Sequence, residues 1–115
     1  MLSQSSLAGE INDIKIEEIL SILSDNPDLA SQKAVNYLES IKQTDNLYSI
    51  VKCNFILGYL HDNKGDYGKA ILYYLEGSRI AGEADYEGSK KDLISLLKNS
   101  GVIFKKFGHY DLALR

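Results

Sequence analysis

Apolar positions along the chain recur with the period of an α-helix. Ile16, Ile19, Leu20 and Leu23 fall at i, i+3, i+4 and i+7, which predicts a first amphipathic helix over about residues 11–24. Asn26-Pro27 then starts a second helix, because an asparagine oxygen can cap it and proline suits the first helical position. Its stripe is Ala30, Ala34, Tyr37, Leu38 and Ile41, and it stops between Lys42 and Asn46. A third helix, Leu47 to Asn63, is apolar on more than one side, as a helix flanked by neighbours should be. Lys64-Gly65-Asp66 breaks it: Gly65 can take the left-handed conformation of a helix end, and Asp66 can cap the next helix. The fourth helix carries Tyr67, Ala70, Ile71, Tyr74, Ser78 and Ala81 on one face. After a Gly/Glu-rich joint at residues 81–88, a fifth presents Leu93, Ile94, Leu97, Gly101, Phe104 and Phe107 and closes at Gly108, with Tyr110 to Arg115 beginning a sixth. The expectation is an all-α chain of about five helices plus a truncated sixth.

The chain also repeats itself. Gly58, Gly65, Tyr67 and Ala70 recur as Gly101, Gly108, Tyr110 and Ala113, each step being 43 residues. Helix-hairpin packing explains the pattern. A glycine inside the first helix admits the second, a second glycine makes the turn, a tyrosine seats it, and an alanine sits where backbones nearly touch. The runs Leu57-Gly58-Tyr59, Gly65-Asp66-Tyr67-Gly68-Lys69-Ala70 and Gly108-His109-Tyr110-Asp111-Leu112-Ala113 resemble the tetratricopeptide repeat (TPR). Asn26-Pro27-Asp28-Leu29-Ala30 looks like the opening of the second helix in a degenerate first repeat.

This resemblance implies a right-handed superhelical solenoid of antiparallel hairpins. Residues 1–10 would form a flexible start, 11–44 a degenerate repeat, 45–86 a repeat and 87–115 an incomplete one. The chain departs from the pattern at Gly77, where a second alanine is usual, and at Ser100, where leucine is typical, and no proline ends the repeat near Gly82. The spacing also exceeds the usual period of roughly 34, which implies helices about a turn longer. Since the last helix stops at Arg115, the apolar face of the fifth should lack most of its partner. The expectation is a fragment of a longer array whose raw end invites self-association.

Composition narrows the function. Thirteen basic against sixteen acidic side chains give a net charge of -3, without the positive field that phosphate backbones select, so nucleic acid is not expected as a ligand. Cys53 is the sole cysteine, which excludes an internal disulfide and a cysteine-rich metal site. No stretch approaches the roughly 20 apolar residues that span a bilayer, so the segment is expected to be soluble, on either the cytoplasmic or the periplasmic side. His61 and His109 lie near turns without a second clustered ligand or an HExxH spacing, and the acidic run Asp62 to Asp66 lacks the order of a calcium loop. Cys53, among Val51, Ile56 and Leu57, reads as a packing residue. Neither a metal nor a cofactor is expected, and nothing clusters a nucleophile with a base, so the chain is not expected to be an enzyme.

The resemblance implies instead a protein- or peptide-binding scaffold. Its concave wall, placed through Gly58 and Gly101, comprises Lys52, Phe55, Tyr59, Asp62 and Asn63 from one repeat and Ser95, Lys98, Val102, Lys105 and Lys106 from the next. Gly58, Gly65, Tyr67, Ala70, Tyr74, Gly101, Gly108, Tyr110 and Ala113 would be packing residues. Aromatic and basic groups together suit an acidic or C-terminal peptide segment. The parent would resemble bacterial multi-domain regulators in signal transduction. A self-assembly module without a soluble ligand, or a homodimer through the C-terminal end, is the alternative.

Overall fold

The computed structural model describes the backbone of residues 13–114 and the side chains of residues 13–108. The expected flexible start over residues 1–10 and the side chains of Tyr110 and Ala113 lie outside the described residues. Those described form five helices and no strand: α1 (Ile14–Ser21), α2 (Pro27–Ile41), α3 (Leu47–Asn63), α4 (Tyr67–Glu83) and α5 (Ser89–Leu114). The all-helical expectation therefore holds.

The expected sixth helix does not exist as a separate element. α5 runs unbroken through Gly108, and the positive-φ glycines among the described residues are Gly65 and Gly88, not Gly108. Extending a helix adds one backbone hydrogen bond for each residue fixed, whereas a turn has to be repaid by packing on its far side.

Local chemistry sets the helix ends. α1 is shorter than its apolar pattern, starting under the Asp13 cap and giving way to a turn at Ile22. At α2, Asn26 Oδ1 accepts from the Leu29 N–H at 3.2 Å and Pro27 takes the first helical position. Asn46 caps α3 by accepting from the Ser49 N–H. Gly65 closes α3 with φ +80°: the Asp66 N–H donates to the His61 carbonyl and the Gly65 N–H to that of Asp62, satisfying two carbonyls a helix end would otherwise leave open. Asp66, expected to cap α4 through its side chain, makes no such bond; its carboxylate lies 3.5 Å from His61 Nδ1 instead.

Each helix packs on the next, α1 also touches α3, and α3 also touches α5. α3 is thus central and buries two sides. Ile50, Cys53, Ile56, Leu57 and Leu60 join α1 and α2 in one apolar cluster, while Val51 joins Ala70, Ile71, Tyr74 and Ala81 of α4 and Leu96 and Ile103 of α5 in a second. Polar groups inside these clusters are satisfied locally: Asn54 Nδ2 donates to the Ile50 carbonyl, Ser78 Oγ to that of Tyr74 and Ser100 Oγ to that of Leu96.

α5 buries a different face from the one its sequence predicts. Leu96, Ser100 and Ile103 face inward and Leu93 is half-buried, whereas Ile94, Leu97 and Phe104 are exposed. In α1, likewise, Ile16 and Ile19 are buried but Leu20 is not.

Candidate partner-binding surface

The α3–α4 hairpin turns on one close approach. A Cβ at Gly58 would lie 2.5 Å from ring atoms of Tyr74, which is fully buried, so only glycine admits that ring. The Tyr74 hydroxyl donates to Asp62 Oδ2 at 3.2 Å, and Phe55 meets the Tyr74 ring edge-on with centroids 6.1 Å apart. Burial first, and then Asp62, raises the Tyr74 phenol well above its ordinary range. Gly77 marks a second close approach, where a Cβ would come within 3.2 Å of both Asn54 and Leu96; α3, α4 and α5 meet there, which gives a reason for glycine in place of alanine.

Two polar bridges tie α3 to α5. Lys52 Nζ donates to Asp92 Oδ1 at 3.0 Å, and the Tyr86 hydroxyl donates to the other oxygen at 2.7 Å. The same ammonium lies 5.3 Å from the centre of the Tyr48 ring, which meets Tyr86 edge-on. At the other end Lys106 sits over the Tyr67 ring at 4.7 Å and 3.9 Å from Asp62. Burial and then the Asp92 contact push the Tyr86 phenol up.

The residues expected to form a wall are therefore divided among several environments. Lys52 and Asp62 are engaged in these bridges, and Phe55 is half-buried on Tyr74. Tyr59, 41% exposed, and Asn63 border a cleft of about 280 Å³ with Leu23, Pro27, Leu60 and Lys64, so they stand together beside the α1–α2 turn. Ser95 is half-buried, while Lys98, Val102 and Lys105 are exposed along α5. Lys98 and Lys105 have no ion-pair partner among the described residues. Of the packing residues, Gly58, Ala70 and Tyr74 are buried, Gly65 makes the turn, Tyr67 is half-buried against Phe107, and Gly101 has nothing within 4 Å of where a Cβ would stand.

A polar node at the other end is absent from the sequence-based expectations. Asp13 accepts from the hydroxyls of Tyr37 and Ser49, joining α1, α2 and α3. Burial raises the Asp13 carboxyl, but the bonds from Ser49, Tyr37 and the backbone outweigh it and leave it below its ordinary value. Tyr37 is pushed up to about 12 by burial and by Asp13. Nothing in the sequence points to a bond spanning 36 residues. The signal available is an aspartate just ahead of an amphipathic run.

Cys53 is fully buried, and burial, with Asp13 nearby, pushes its thiol up to about 12. His61 stacks flat on Tyr73 with centroids 5.6 Å apart; burial lowers its pKa, with Asp66 pulling the other way. No group of three or more metal-ligating side chains occurs among the described residues, and none of their helices is long and apolar enough to cross a membrane.

Together these features define an all-helical chain with a surface built from α3 and α5. No family model matches the chain, and neither the curated proteins nor the solved structures contain a match to it.

Proposed function

We propose that this chain is a TPR-type scaffold that holds a protein or peptide partner along the wall shared by α3 and α5. The supporting observation is a contrast along α3 and α5: Lys52 and Lys106 have acidic partners, while the Tyr59 ring on α3 is exposed beside the α1–α2 turn and Lys98 and Lys105 on α5 are exposed without an ion-pair partner among the described residues. An exposed aromatic on one helix with unpaired cations on the other suits an extended acidic segment, because the ring supplies contact area at small entropic cost and the cations supply steering. The 43-residue recurrence of glycine, tyrosine and alanine, together with the α1–α3–α5 contacts, supports the solenoid reading.

The test is affinity capture with the immobilised chain, comparing wild type with a Tyr59→Ala/Lys98→Glu double variant. The reading expects a partner captured by the wild type and lost from the variant at unchanged thermal stability. Unchanged capture defeats it.

A further inference from the structure

Equivalent glycines meet opposite fates in this molecule. Gly58 of α3 is sealed by Tyr74 of the antiparallel helix α4, whereas Gly101 of α5, 43 residues on, is exposed, with nothing within 4 Å of its Cβ position. Around Gly101 runs a helical stripe of large apolar side chains left in solvent: Ile94 is 59% exposed, Leu97 50% and Phe104 52%. These lie at i, i+3 and i+10 with Gly101 at i+7, on a flank distinct from the buried Leu96 and Ile103.

Charge distinguishes the possible occupants. Lys91, Lys98 and Lys105 follow the stripe at intervals of seven residues, and none has an ion-pair partner among the described residues. α5 as a whole carries five lysines against two aspartates, in a chain whose net charge is -3. Packing this face against itself in a second copy would bring the lysine rows together, and like charges in contact are destabilising.

We propose that the open flank of α5 docks an antiparallel amphipathic helix of a partner protein, which seats an aromatic ring on Gly101 and aligns carboxylates with the lysine row. α4 shows the geometry such a helix would reproduce: an alanine and, four residues later, a tyrosine, Ala70 and Tyr74, facing the glycine-bearing helix. The Lys98 and Lys105 row is shared with the α3–α5 wall, but Ile94, Leu97, Gly101 and Phe104 belong to this flank alone and Tyr59 to the wall alone, so Gly101→Leu and Tyr59→Ala test the two proposals separately.

The probe is a labelled, helix-stapled peptide of the α4 sequence Tyr67–Glu83 carrying Lys69→Glu and Arg79→Glu, which makes its outward face acidic. Fluorescence anisotropy with the full chain at low salt should give saturable binding that weakens as ionic strength rises. It should fall at least tenfold with Gly101→Leu, which fills the seat while favouring the helix, and with Tyr74→Ala in the peptide. Leu97→Glu in the chain should act in the same direction. Absence of saturable binding, or binding indifferent to Gly101→Leu, overturns the proposal. A dimer of the chain alone that Gly101→Leu abolishes overturns it as well, by making a second copy the occupant. Gly101 lies outside the α3–α5 wall, so failure here leaves partner capture through Tyr59 unaffected.

Discussion

α3 and α5 each carry a mid-helix glycine, Gly58 and Gly101, 43 residues apart, and the two have different surroundings. α3 is covered on two sides: α1 and α2 take Ile50, Cys53, Ile56, Leu57 and Leu60, while α4 takes Gly58 through the Tyr74 ring. α5 is covered on one, where Leu96, Ser100 and Ile103 meet α4 and α3, and its Gly101 flank remains open. The difference lies in what each helix is offered. A glycine on a helix surface is a destabilising choice until a neighbour uses the space it leaves, and a buried ring is what turns that cost into packing.

Substitutions at the paired positions can break this comparison. The largest effect belongs to Tyr74→Ala, which removes a fully buried ring seated on Gly58; a loss of about 3–5 kcal/mol is expected by chemical denaturation, close to the whole stability of a small domain. Gly58→Ala comes next at about 1–3 kcal/mol of destabilisation, since its Cβ would strike ring atoms that have nowhere to move. Gly101→Ala should act with the opposite sign, raising stability by about 1 kcal/mol, because an exposed helical glycine yields to a better helix former without a clash. Equal and negative shifts for the two glycines would mean that they have the same surroundings after all.

The smallest effect contrasts His61 with Phe104, 43 residues further on. Burial depresses the His61 pKa below its unfolded value, so the fold favours the neutral ring. Its contribution is fully present above the ordinary histidine pKa and is lost as the pH falls from there toward the depressed value. Denaturation midpoints of wild type and His61→Phe, tracked from about pH 7.5 to about pH 5 across the ordinary histidine range, should diverge on acidification, with the variant losing less. Parallel curves would show that His61 is not buried against Tyr73.

Some of this is legible in the sequence and some is not. Asn26-Pro27 and Gly65 act locally, through a side-chain cap and a left-handed residue, so the boundaries they predict are where the helices start and stop. Gly108 is the same residue type after a similar helix, yet α5 continues through it, because a turn depends on what packs beyond it and not on glycine alone. The inward face of α5 differs from the predicted one for a related reason. Leu97 and Phe104 make as good a stripe as Leu96 and Ile103, and the inward one contains Ser100, whose hydroxyl becomes buriable once it donates to the Leu96 carbonyl. Within the candidate wall, Lys52 reads as available in the sequence, but Asp92, 40 residues away, lies beside it, and no helical period reports a contact of that span.

Cys53 has a consequence for how the protein ages. A thiol with no exposed surface and a pKa raised to about 12 holds almost no thiolate at neutral pH, and thiolate is the species that peroxide and electrophiles attack. With no other sulfhydryl in the chain, thiol oxidation should proceed only as fast as α3 opens, so the rate at which a thiol reagent consumes Cys53 becomes a clock for unfolding at the centre of the molecule.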